Sequence, residues 1–67
     1  MLDRGNGYFE AEYGIRDAAL LYDNGDEIVE IAHTSGDEIY AYDRVHEKEI
    51  REWAHEYEFK MIIWLCH

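Results

Sequence analysis

Ala18-Ala19-Leu20-Leu21-Tyr22-Asp23-Asn24-Gly25-Asp26-Glu27-Ile28-Val29-Glu30-Ile31-Ala32-His33 is the stretch whose reading decides the fold. Two runs of apolar and β-branched residues flank Asn24-Gly25. Asn-Gly accommodates positive φ at both central positions of a type I′ turn, so the pattern predicts a hairpin. A short helix over residues 17–22 that stops at Gly25 is the rival, and the central placement of Asn-Gly between two apolar runs favours the hairpin. Ser35-Gly36 marks a second turn. Residues 18–22, 27–33 and 38–42 then form a three-stranded antiparallel meander. The registers these turns imply set Leu20 opposite Val29 and Ile31 opposite Tyr40. Val29, Ile31, Tyr40 and Tyr42 share one face; Ile28, Glu30, Ala32, Ile39 and Ala41 share the other.

Upstream, Phe9, Ala11 and Tyr13 alternate with Tyr8, Glu10 and Glu12, which suits an edge strand over residues 7–13. Downstream the period changes. Val45, Ile50, Trp53, Ala54 and Tyr57 follow helical spacing over residues 44–58, with Asp43 positioned as N-cap. Only one face of that helix is apolar, so it is expected to lie on the sheet. Phe59-Lys60-Met61-Ile62-Ile63-Trp64-Leu65-Cys66 is rich in β-formers and reads as a fourth, well-buried strand. The expected class is α+β, an antiparallel hairpin-meander sheet of about three to five strands with one amphipathic helix packed on it. Residues 1–67 form a single small domain. Its expected core is Leu20, Val29, Ile31, Tyr40, Tyr42, Ile50, Trp53, Tyr57, Ile62 and Trp64.

Charge narrows the function. The 67 residues include 16 Asp and Glu against 6 Lys and Arg, a formal net charge of −10. Direct binding to nucleic acid or to an anionic membrane needs a cationic face, and this balance disfavours both. Disorder is disfavoured too, because 48% of the chain is apolar and 15% aromatic. Cys66 is the single cysteine, which fits a reducing compartment. With neither a signal-peptide pattern nor a membrane-spanning run, a cytoplasmic location is expected.

Enzyme signatures are incomplete. A zincin helix needs a second histidine four positions after the first, but His46-Glu47 leads to Ile50 and His55-Glu56 leads to Phe59. Glu52 and His55 form one Glu-x-x-His pair, where a di-iron bundle needs two pairs and further glutamates on other helices. Gly5-Asn6-Gly7 lacks the Lys-Ser/Thr of a phosphate loop. His46, His55, Cys66 and His67 have no metal-ligand spacing within one element. No enzymatic activity, metal or cofactor is expected.

The acidic residues are spread over ordered elements rather than gathered in a tail. Asp23, Asp26 and Glu27 sit at the first turn, Asp37 and Glu38 at the second. The helix carries Glu47, Glu49, Glu52 and Glu56, of which the last three form a row spaced by about 4.5 and 6 Å along the axis. Like charges at such spacings oppose helix formation, so a small domain tolerates self-repulsion here. One explanation of this acidity is solubility alone. The acidity also suits imitation of DNA phosphates, with these nine residues occupying a basic groove on a nucleic-acid-binding protein and aromatic side chains as anchors.

In its length, its −10 charge, its hairpins followed by Val45-His46-Glu47-Lys48-Glu49-Ile50-Arg51-Glu52-Trp53 and its apolar last strand, the chain resembles small phage-encoded anti-CRISPR proteins of the DNA-mimic type. Among these it is most similar to inhibitors of the type I-C surveillance complex, Cascade. The resemblance implies a stoichiometric inhibitor, active in the cytoplasm of an infected bacterium, that blocks target-DNA binding by occupying the complex's cationic surface. A monomer is expected. The alternative is a non-enzymatic protein–protein interaction module, whether antitoxin-like, anti-restriction or the subunit of an oligomer that pairs through residues 61–66.

Overall fold

The structure, a computed structural model, describes residues 2–14, 17–58 and 61–65, and of Leu2 the backbone alone. Its sheet holds six strands in sequential order: β1 (Leu2–Gly5), β2 (Tyr8–Glu12), β3 (Ala18–Asp23), β4 (Ile28–Ser35), β5 (Glu38–Ala41) and β6 (Ile62–Trp64). Helix α1 (Glu47–Glu56) connects β5 to β6. β1 to β5 pair antiparallel, and β6 runs parallel to β5. The α+β class stands as expected, with six strands instead of three to five. A parallel neighbour needs a crossover of about a dozen residues or more, usually helical, and α1 with its flanks supplies it.

The type I′ signal is used at a different Asn-Gly. Asn6 and Gly7 link the paired residues Gly5 and Tyr8, both with positive φ (+55° and +86°), as that turn requires. At Asn24-Gly25 the loop is longer, because side chains compete for the backbone. Asp23 Oδ1 accepts the Gly25 amide at 2.9 Å, and Asn24 Oδ1 accepts those of Asp26 (2.9 Å) and Glu27 (3.0 Å). These Asx turns open the connection to four residues between the paired Asp23 and Ile28.

Register and facing change accordingly. Leu20 lies opposite Ala32 instead of Val29, and Tyr40 lies opposite His33 instead of Ile31. A bulge leaves Ile31 between the pairs Leu20–Ala32 and Leu21–Glu30. Such an extra residue rotates the strand locally, and here both Ile31 and Ala32 enter the core. Ala32, Ile39 and Ala41 therefore form the core face, while Tyr40 and Tyr42 stand on the other side of the sheet. Both tyrosines leave the expected core list.

Helix α1 is shorter than residues 44–58. Asp43 does not cap it; its Oδ1 accepts the Val45 amide at 3.0 Å in a preceding turn, and His46 holds the N-cap position. Tyr8 Oη meets His46 Nδ1 at 2.8 Å, and the rings of Tyr8, Tyr22 and His46 pack together, which seats this end of the helix on the sheet. Ile50, Trp53 and Ala54 are buried against Ala18, Leu20, Ile39 and Ala41. Trp53 is fully enclosed in this cluster. Trp53 Nε1 has no hydrogen-bond partner among the described residues, a cost that burial of the indole ring outweighs. Val29, Tyr57, Ile62 and Trp64 pack half-buried around this cluster.

The last strand is an edge strand of three half-buried residues, not the well-buried run expected over residues 59–66. Phe59, Lys60 and Cys66 lie outside the described residues. At the sheet's opposite edge, Glu10 is a buried carboxylate held by Arg4 (3.3 Å) and by the Tyr57 hydroxyl. Arg4 also reaches Glu56, so one guanidinium ties β1, β2 and α1 together. No described helix is long and apolar enough to cross a membrane.

Gly7 is the most constrained turn residue. A Cβ there would stand 3.0 Å from the Asp23 carbonyl oxygen, at φ +86°. Gly7→Ala is expected to cost about 2 kcal/mol in urea unfolding. Gly14→Ala, which meets only Asp17 Oδ2 at 3.8 Å, should be nearly neutral. Equal midpoints for the two variants would contradict this packing.

Candidate partner-binding surface

The nine carboxylates singled out above occupy three separate places. Asp23, Asp26 and Glu27 lie at the β3–β4 loop, and Asp37 and Glu38 lie at the β4–β5 turn, beyond the other end of β4. Eight residues of strand separate these two groups, roughly 25 Å at about 3.3 Å per residue. The third place is α1, and its acids are partly offset. Glu47 accepts from Arg51 (2.7 Å) and Arg44 (3.3 Å), and those hydrogen bonds hold its carboxyl below the usual range. Glu56 pairs with Arg4. Glu49 and Glu52 line a cleft of about 160 Å³ shared with Lys48, Arg4 and Tyr8. Burial, followed by the charge of Glu49, pushes the Tyr8 hydroxyl's pKa up.

All 16 acidic residues fall within the described residues, where the cations are Arg4, Arg44, Lys48 and Arg51. Each of these arginines is engaged by a carboxylate on the helix side of the sheet. Arg44 also lies over the Trp64 ring, 4.4 Å from its centroid. Asp23, Asp26, Glu27, Glu38, Glu49 and Glu52 form no ion pair among the described residues. The structure thus leaves fixed anionic groups at both ends of the sheet and along one flank of α1, but not one continuous patch of all nine.

The sheet's second face is the feature that sequence reasoning missed. A helix covers only the face bearing Leu20, Ala32, Ile39 and Ala41. Strand pairing places Phe9 beside Leu21 and Tyr40 between His33 and Ile63 on the opposite face. Alternation along the strands adds Ile28, Tyr42, Met61 and Leu65 to this side. Those four are exposed, and with Tyr13 and Val45 they make up the exposed large apolar residues of the described chain. The signal was present in Ile39-Tyr40-Ala41-Tyr42 and Ile62-Ile63-Trp64-Leu65, which are apolar on both faces while the chain offers one helix to cover them.

Polar groups on this face are tied to the aromatic ones. Tyr42 Oη donates to Glu30 Oε2 at 2.6 Å and lies 2.8 Å from His33 Nδ1. With the hydroxyl proton on Glu30, the second contact is His33 Nδ1–H donating to Tyr42. His33 stacks on Tyr40 with centroids 5.7 Å apart, and Tyr40 Oη donates to Glu38 Oε2 at 3.2 Å. Neither Glu30 nor Glu38 has a Lys or Arg partner among the described residues. No group of three potential metal ligands occurs among the described residues. His46 is bound to Tyr8, while Cys66 and His67 lie outside the described residues.

The hydrogen bond from Tyr42 to Glu30, then burial, pushes that phenol up to about 12, and burial, then Glu10, does the same for Tyr57. A phenol raised from its ordinary value of 10.0 contributes stability below that pH and loses it as pH rises to about 12. Alkaline spectrophotometric titration should therefore show Tyr42 and Tyr57 ionising late. Glu30→Ala should return Tyr42 toward 10, and an unchanged titration in that variant would contradict the Tyr42–Glu30 bond.

Comparison with protein-family models, curated proteins and solved structures returned no match. The functional reading rests on geometry and charge.

Proposed function

We propose that this protein is a non-enzymatic acidic inhibitor that occupies the cationic nucleic-acid-binding surface of another protein and excludes DNA from it. The target class implied by the resemblance above is the type I CRISPR–Cas surveillance complex. One observation carries the reading. The described arginines are used internally, and the remaining carboxylates are held on ordered elements, so the surface offered to a partner is anionic with little freedom to relax. Preorganised charge of this kind meets a Lys/Arg funnel without the ordering cost of a flexible acidic tail. Association with such a funnel is fast and weakens steeply as salt rises.

A different observation favours a broader second reading, an interaction module of undefined target. The uncovered apolar sheet face is a docking surface whatever the partner's role, and the edge position of β6 leaves strand addition open as a mode of self-assembly.

The direct test is target-DNA binding by Cascade with the protein in molar excess. Loss of DNA binding is expected, relieved by added salt; unchanged DNA binding would reject the inhibitor reading. Combined Asp23→Asn, Asp26→Asn and Glu27→Gln should weaken inhibition roughly tenfold with no loss of thermal stability, since these side chains form no ion pair among the described residues and asparagine keeps the Oδ1 acceptor that Asp23 offers the Gly25 amide. Full potency in that variant would remove the β3–β4 loop from the contact.

A further inference from the structure

We infer that the open face of the sheet, centred on His33, Tyr40 and Tyr42, binds a protein surface that presents arginine or lysine side chains around an apolar centre. The inference rests on the reading of a cationic protein partner and names the surface that meets it. The domain is a slab of 31 × 30 × 16 Å. One broad side of it matches the roughly 800 Å² that each partner contributes to a standard stable interface. Its centre is apolar and aromatic, as interface hot spots are, and it lies on strands, which hold side chains more firmly than loops.

Charge selects the occupant. Glu30 and Glu38 stand among the aromatic rings, each fixed by a tyrosine hydroxyl; His33 Nδ1 lies 3.4 Å from Glu30, and neither carboxylate has a Lys or Arg partner among the described residues. A second copy of the chain docked face to face would bury four such carboxylates against one another, and each copy carries a formal charge of −10. Burying charges without counter-ions is strongly unfavourable. A partner with Arg or Lys at the matching positions would pair them, and its guanidinium or ammonium groups would also lie against the faces of Tyr40 and Tyr42. The same geometry that opposes self-association therefore fits a basic, amphipathic partner.

The test uses two synthetic helical peptides of about 14 residues, about 21 Å long. One carries arginine on one face and leucine on the other; the second keeps every arginine and replaces leucine by serine. Chemical-shift mapping on the ¹⁵N-labelled protein should place the first peptide on Ile28, Glu30, His33, Tyr40 and Ile63. It should bind roughly tenfold tighter than the serine peptide and retain that advantage at high salt. Tyr42→Ser and Ile28→Ser alter exposed residues and should fold normally, as circular dichroism will show, while weakening the leucine peptide selectively.

Equal affinity for the two peptides, shifts confined to α1, or a dimer in sedimentation that buries this face and that the peptide does not dissociate would each overturn the inference. The proposed inhibition fails separately. If the peptide binds this face and Cascade still binds DNA, the target class is wrong and the surface stands. If DNA is excluded and the Tyr42 and Ile28 variants retain full potency, the surface is wrong and the inhibition stands.

Discussion

One helix can cover only one face of a sheet, and in this six-stranded sheet β3, β5 and β6 carry apolar residues on both faces. The covered side takes Leu20, Ile31, Ile39, Ile50 and Trp53 out of water. The uncovered side keeps Phe9, Tyr40 and Ile63 only partly shielded, while Leu21 and Ala19 on the same side are buried. The chain's formal charge of −10 accompanies this exposed apolar surface. An exposed apolar patch rimmed by polar groups is the usual mark of a partner site in a soluble protein.

The electrostatics divide along the same line. On the helix side, carboxylates are partners of arginine: Glu10 and Glu56 hold Arg4, and Glu47 holds Arg44 and Arg51. These pairs fix the helix against β1 and stack cations over Trp64. On the open side and at the β3–β4 loop, carboxylates bind tyrosine hydroxyls or backbone amides instead. Neutral donors orient a carboxylate without cancelling its charge. The row Glu49–Glu52–Glu56, the most regular acidic feature in the sequence, is thus a less open surface than the spacing implies, because Arg4 and Lys48 stand beside it.

Much of the fold was legible for identifiable reasons. Helical spacing from Ile50 to Tyr57 located α1, and two turn signals located β3, β4 and β5. The parity of the strands was not legible, since it depends on a bulge at Ile31 and on the side-chain turns of Asp23 and Asn24, which lengthen the loop without changing its composition. β1 was hidden because Asp3 and Arg4 replace the apolar residues that a strand pattern needs; its place comes from Asn6-Gly7 and from the bond between Arg4 and Glu10. Of the candidate site, the acidic residues were visible one by one. Their grouping was not, because the β3–β4 loop and the β4–β5 turn stand at opposite ends of one strand.

The central claim is that α1 covers one side of this sheet and that, among the described residues, the centre of the other side around Tyr40 and Tyr42 stays in contact with solvent. Paramagnetic relaxation by a soluble probe measures it on side-chain methyl groups of the free protein. Ile28 and Ile63 should relax strongly, with Ile39 and Ile50 nearly unaffected, at all protein concentrations. Protection of Ile28 and Ile63 equal to that of Ile39 would contradict the account, since something would already cover the face described as free.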